Sequence, residues 1–189
     1  AEGEISELHV GLKGTMNALF LKDLAIKTHR GIRGRVEAGK IGGGNAYGYR
    51  VVHQLDANGE PIRGEREIVE EHAEIVRRIF REYVAGKGPQ KIAADLNREG
   101  IPSPASKRWS DTTIRGNRTI GSGILNCELY IGVIRWNRQR QMKNPDTGRR
   151  VLRLNPESEW IRTDVPALRI VPQELWDAAK ARQGMSSEC

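Results

Sequence analysis

EEHAEIVRRIFREYVAGKGPQKIAADLNREG, Glu70 to Gly100, carries two helix signatures in succession. In the first, Val69, Ala73, Val76, Ile79 or Phe80, and Tyr83 recur at spacings of three and four, which gathers them on one helical face. Glu70 and Glu71 place negative charge at the positive end of the peptide dipoles, and Gly86 supplies the stop. The second opens at Pro89, whose missing N–H is harmless in a first turn, turns Ile92, Ala93 and Leu96 to one side and ends at Gly100. Two short amphipathic helices so close in sequence need a common core, and the rest of the chain has to supply it.

Downstream, Pro102 and Pro104 enforce a break, and Ser110 is an N-cap for a helix read over DTTIRGNRTI, residues 111–120. Gly121 and Gly123 make a joint before ILNCELYIG. IGVIRWNRQRQ and RRVLRLN read as two strands of one basic hairpin around the turn NPDTG, and PQELWDAAKARQ as a closing helix. Upstream, YGYRVVHQLDANGEPIRGEREIVEE reads as two strands turning at Asn58 and Gly59. Before it, Met16, Leu19, Phe20, Leu24, Ile32 and Val36 predict a helix from about Thr15 to Ala38, ending near Gly39 and roughly 36 Å long. The expected fold class is α+β: a long N-terminal helix, then a mixed helical domain with a helix-turn-helix-like unit and small antiparallel β-hairpins. Its expected divisions are 1–39, a glycine-rich linker 40–46, a main domain 47–184 and a tail 185–189.

Of the 189 residues 38% are hydrophobic and 29% charged, enough for one core with exposed extensions. The net charge of +7 favours an anionic partner, nucleic acid before others, with a plain solvated surface as the alternative. That charge is uneven. Between Ala105 and Arg153 stand eleven Lys or Arg (Lys107 among them) against three acids, so this segment carries the whole excess. Cys127 and Cys189 form no CxxC pair and no zinc spacing, and a reducing cytoplasm is the expected setting. No apolar run approaches the roughly 20 residues of a membrane span, the start AEGEISELHV does not read as a signal peptide, and no membrane partner is expected. The first residue is Ala1 rather than Met, which reads as a piece of a longer protein.

PQKIAADLNREG with WSDTTIRGNRTI has the pattern of a helix-turn-helix. The second member presents Thr112, Thr113, Arg115, Asn117, Arg118 and Thr119, side chains able to bond phosphates and base edges. The intervening loop of about ten residues is long for the motif, and an ordinary helical hairpin with a polar face is the alternative. GGGNAYG lacks GKS or GKT and has no GxGxxG after a strand, so it is no nucleotide cradle. A flexible linker is one reading; flanked by Arg33, Arg35, Lys40 and Arg50, a strap lying in a minor groove is another. The four histidines are scattered, no serine sits with a histidine and an acid, and no catalytic residue is assigned.

GLKGTMNALFLKDLAIKTHRGIRGRVEAGK, AYGYRVV, EEHAEIVRRIFREYVAGKGPQKIAADLNREGIPSP, GILNCELYIGVIRWNR and LRIVPQELWDAAKAR together resemble the large serine recombinases of phage-integrase and transposon type, in order and over nearly the whole chain. The resemblance implies that Thr15 to Ala38 correspond to the long helix closing the catalytic domain, which makes dimer and synaptic-tetramer contacts. Tyr47 to Gln183 then correspond to the domain that binds one arm of attachment-site DNA. A serine nucleophile with its arginines would lie upstream, and a zinc ribbon downstream. Family chemistry is attack of that serine on a DNA phosphodiester to give a 5′-phosphoserine link and a free 3′-hydroxyl, with no nucleotide cofactor. Smaller relatives carry an Arg-Thr pair on the long helix where Lys27 and Thr28 stand here.

The expected DNA-binding residues are Arg33, Arg35, Lys40, Arg50, Arg108, Thr112, Thr113, Arg115, Asn117, Arg118, Thr119, Arg135, Arg138 and Arg140. Met16, Leu19, Phe20 and Leu24 are expected to drive self-association, and no metal or cofactor is expected in this chain. The rival readings are a helix-turn-helix transcriptional regulator dimerised by its first helix, and an oligomerisation module.

Overall fold

The computed structural model describes residues 2–104 and 108–185, with side chains from residue 9 onward in the first helix. Lys107, Cys189 and the rest of the tail 186–189 lie outside the described residues.

Helix α1, Glu2–Glu37, starts well before the expected Thr15. Residues 2–14 contain no proline, and their three glycines, Gly3, Gly11 and Gly14, are the only weak helix formers of that kind. Lys27–Asp23 and Arg33–Glu37, both 2.8 Å at spacing i,i+4, support the later turns. Its side chains from Val10 to Ile26 are exposed, and the helix meets the body only over its last turns, from His29 to Val36. It closes as the sequence predicts. Gly39 takes φ +76°, its N–H donating to the Val36 carbonyl while the Lys40 N–H donates to that of Arg35, a left-handed helix end that glycine favours.

The next hairpin forms as expected but in two ladders: β1 (Tyr49–Val51), β2 (Gln54–Leu55), β3 (Pro61–Ile62) and β4 (Arg66–Ile68), with β1 on β4 and β2 on β3. Three residues, Arg63 to Glu65, face Val52 and His53 between the ladders, a bulge that bends the ribbon. Helices α2 (Glu70–Val84) and α3 (Pro89–Arg98) follow the sequence signatures nearly residue for residue. Asn97 clamps the loop after α3 by donating to the Trp109 carbonyl and accepting from its N–H, and the Trp109 indole donates to the Ile101 carbonyl.

Helix α4, Asp111–Arg115, is much shorter than the expected 111–120. Ser110 caps it, accepting from the Thr113 N–H. It ends because Gly116 adopts φ 59°, ψ −149°, where any Cβ would run into the Ser122 carbonyl. The chain then doubles back, Asn117 and Ser122 exchanging backbone hydrogen bonds. Asn117, Arg118 and Thr119 therefore sit in a tight turn and not on a helix.

Two 3-10 turns, Ile124–Asn126 and Glu128–Ile131, lead into β5 (Val133–Trp136). The expected single basic hairpin is here divided. β5 pairs with β8 (Ile161–Asp164) in the body, whereas β6 (Gln139–Lys143) and β7 (Arg150–Leu154) pair with each other and project, every residue exposed. The break falls at Asn137, which holds φ 61°; Asn155 donates to its backbone and side-chain oxygens, and its own amide donates to the Glu159 carbonyl. The sequence places no glycine or proline there to announce the turn.

The core gathers around Tyr130, fully buried beneath α2 and facing Tyr49 and Phe80 at ring distances of 6.0 and 6.3 Å. The Tyr130 hydroxyl donates to the Tyr47 carbonyl, and its own carbonyl accepts from the N–H groups of Ile170 and Val171. Val76, Ile79, Ile92, Leu96, Ile114 and Leu125 complete the interior. Helix α5 (Gln173–Met185) packs on α2, with Phe80 against Trp176 and Arg182 donating to the carbonyls that end α2.

Candidate nucleic-acid interface

The linker after α1 is less free than its three glycines suggest. Ile41 donates to the Gly64 carbonyl at the hairpin bulge, and a Cβ on Gly42 would lie 2.6 and 2.8 Å from methyl groups of Ile32 and Val36. Gly42 is thus a packing glycine. Gly43 and Gly44 are exposed with open space around them, and beyond them Asn45 is fastened by donating to the Tyr49 carbonyl and accepting from Arg66. The slack is two residues long.

Beneath this linker lies a cleft of about 570 Å³. Its walls are Ile41 to Gly44, the Gly121 turn, the 3-10 segment Asn126–Leu129, and the strand and corner from Val133 to Arg140, with His29 of α1 at one end. The His29 ring sits 4.6 Å from that of Trp136 and its Nε2 is 3.4 Å from Asn137 Oδ1, so the last turns of α1 are seated on the corner that divides body from ribbon.

Each expected site residue has a definite place. On the linker side Arg33 pairs with Glu37, Lys40 with Glu65 at 3.1 Å and Arg50 with Glu67, all exposed or half-exposed. Arg35 has no acidic partner among the described residues and lies with its stem over Gly64. Ion pairs this exposed are worth about 0–1 kcal/mol, so a phosphate can displace the carboxylate. On α4, Thr112 and Thr113 share the Ser110 hydroxyl, and Arg115 folds back on Asp111 at 2.7 Å. Arg108 is exposed just before the cap, Asn117 accepts from the Ile120 N–H, and Thr119 is exposed. Arg118 donates to the Gln183 carbonyl at the end of α5, joining the turn to the last helix.

Arg135 and Arg138 are held within the protein. Both lie over the Trp160 ring, at 5.2 and 5.0 Å, where the ring face attracts a cation. Arg135 also pairs with Glu128, and Arg138 donates to the carbonyls of Arg118 and Thr119. Burial, with Arg135 alongside, lowers the affinity of the Arg138 guanidinium for its proton. These two fix the cleft floor. Arg140, one step out on β6, is exposed and has no partner among the described residues. The linker, the Gly121 turn and Arg140 thus meet around one cleft, while α4 lies apart beside α3.

Trp160, which the sequence offers as a core anchor, is half-buried beneath Arg135 and Arg138, whereas Asn155 at the corner and Arg66 at the linker carried no sequence signal. Their contacts join residues from different elements without periodicity. Among the described residues no three His, Cys, Asp or Glu side chains gather to hold a metal, and no helix is long and apolar enough to cross a membrane.

A basic, two-armed α+β domain with no catalytic cluster among the described residues is the class that this geometry defines. Residues 70–184 match the protein family described as Recombinase, and the chain belongs to that family, the recombinase domain of serine recombinases. A Bacillus subtilis (strain 168) protein named "Putative DNA recombinase" is 26% identical over 191 aligned positions, which take in 95% of this chain and 35% of that protein. The chain spans about a third of its relative's length.

Proposed function

We propose that this chain is the DNA-binding part of a site-specific serine recombinase, holding one arm of an attachment site for a catalytic domain elsewhere in the parent protein. The observation that carries the reading is the placing of the whole charge excess, by a member of this family, in a segment that forms the cleft rim, the α4 turn and a projecting ribbon. In the parent reaction a serine oxygen would attack phosphorus and release a 3′-hydroxyl. That hydroxyl would later attack the phosphoserine and free the serine again, so bond energy is conserved and no nucleotide is consumed. Arg33, Arg35, Lys40 and Arg50 follow the backbone where the linker crosses the duplex, while Arg108, Thr112, Thr113, Arg115, Asn117 and Thr119 face a groove. Arg118, Arg135 and Arg138 support these contacts from behind.

The test is fluorescence anisotropy of the 189-residue chain on a 40-base-pair duplex selected from a randomised pool. Binding should weaken steeply with salt, each phosphate contact adding about 0.9 to the logarithmic slope. Affinity that does not change with salt overturns the proposal.

Self-association through α1 belongs to the same reading. Met16, Leu19, Phe20 and Leu24 stand 48–66% exposed on a stretch of helix with no cover. Phe20→Asp with Leu24→Asp should convert an associating chain into a monomer in sedimentation equilibrium. A wild-type chain that stays monomeric at high concentration would refute this part.

A further inference from the structure

Among the described residues no further strand pairs with the ribbon formed by β6 and β7. All ten of its strand residues are exposed, and from Gln139 to Leu154 it carries five cations, Arg140, Lys143, Arg149, Arg150 and Arg153, against the single acid Asp146. None of the five has an ion-pair partner among the described residues. The register makes this odder still: Arg140 stands directly across from Arg153, and Lys143 across from Arg150. Like charges facing each other across two strands destabilise a hairpin, and here two of five rungs do so. Such a ribbon is poorly built to stand alone in water and well built to meet a polyanion.

Cross-strand partners share a face, and successive rungs alternate between faces. The Arg140–Arg153 rung therefore lies on one face and the Lys143–Arg150 rung on the other. A flat anionic surface would satisfy one face only. A groove walled by phosphates on both sides satisfies both. A two-stranded ribbon with its side chains is about 10 Å thick, which fits the major groove at about 12 Å and not the minor groove at about 6 Å.

We infer that the β6–β7 ribbon stands in the major groove of duplex DNA, Arg140 and Arg153 on one phosphate wall and Lys143 and Arg150 on the other. Gln139 and Gln141, on the Lys143 face, then line the same phosphate wall, and the ribbon adds a contact separate from the linker and α4. This rests on the DNA-binding reading above.

The test uses the whole chain and a 30-base-pair duplex of mixed sequence, with anisotropy measured across a salt series. Arg140→Gln with Arg153→Gln should lower the logarithmic salt slope by about 2, Lys143→Gln with Arg150→Gln by about the same, and the four together by nearly 4. The major-groove dye methyl green should compete with the wild-type chain and much less with the fourfold variant. Because the ribbon packs on no core residue, all variants should keep the wild-type circular dichroism and melting temperature. Wild-type binding with an unchanged slope in the fourfold variant overturns the ribbon inference and leaves the DNA-binding reading standing. A slope lowered by only one of the two pairs overturns the two-walled placement. A wild-type chain that does not bind the duplex removes both.

Discussion

Arginine has two fates in this molecule. On α2, α3 and the loop between them the cations other than Lys91 are matched: Arg77 and Arg81 share Glu74, Arg78 takes Glu82 and Glu99, Lys87 reaches Glu82 and Asp95, and Arg98 pairs with Asp95. This network neutralises itself, and the hydrogen bonds that Arg78 donates to Glu99 and Glu82 keep it charged more firmly than an ordinary arginine. On the β6–β7 ribbon the same residue type stands opposite its own kind with no acidic partner among the described residues. Composition already sets the two regions apart, balanced over 70–100 and strongly basic over 139–154, and the placement of carboxylates separates a cation that finishes a surface from one that awaits a partner.

The largest effect that tests this contrast is on stability. Phe80→Ala, beneath Tyr130 and Trp176, should cost about 3–5 kcal/mol in urea unfolding, whereas Leu152→Ala on the ribbon should change stability by less than about 0.5 kcal/mol. Equal losses would mean that the ribbon belongs to the core. Within the linker, Gly42→Ala should destabilise by about 1–3 kcal/mol through overpacking against Ile32 and Val36. Gly44→Ala should instead stabilise slightly, by up to about 1 kcal/mol, because only the unfolded chain loses freedom. Matching melting temperatures would show that the linker is uniformly loose.

The subtlest test concerns Lys180, a cation inside the body. Its ammonium donates to the Leu125 carbonyl, Asn126 Oδ1 and Gln183 Oε1, and burial, with Arg118 next, brings its pKa down to about 8. The unfolded chain releases that proton only near 10.5, so between the two values the unfolded state holds more protons and stability rises with pH. Urea unfolding should therefore show wild type gaining on Lys180→Met between about pH 8 and about pH 10.5. A constant difference would mean that the amine is as wet as the ribbon's cations.

Much of the body was legible. Periodicity, caps and stop residues placed α2 and α3, the Gly39 cap and the turn at Asn58 and Gly59, because these depend on neighbours in sequence. Two expectations failed for one physical reason. The helix expected through Ile120 ends at Arg115, and the expected hairpin breaks at Asn137, because contacts from Ser122, Asn155 and Glu159 decide those positions. The candidate site shows the same limit: composition located the charge, yet could not tell Arg135 and Arg138, clasped over Trp160, from Arg140, which is bare.

The seating of α1 has a mechanical consequence. Its last turns are fixed by Val36 in the core, Gly42 against the helix and His29 on Trp136, while the helix runs on from His29 back to Glu2. At about 1.5 Å per residue that is an arm of about 40 Å, so a tilt of about 10° at the seat sweeps its far end through about 7 Å. A methyl group added at Gly42 therefore acts as a wedge at a fulcrum, and whatever the helix carries at its free end would register that displacement many times enlarged.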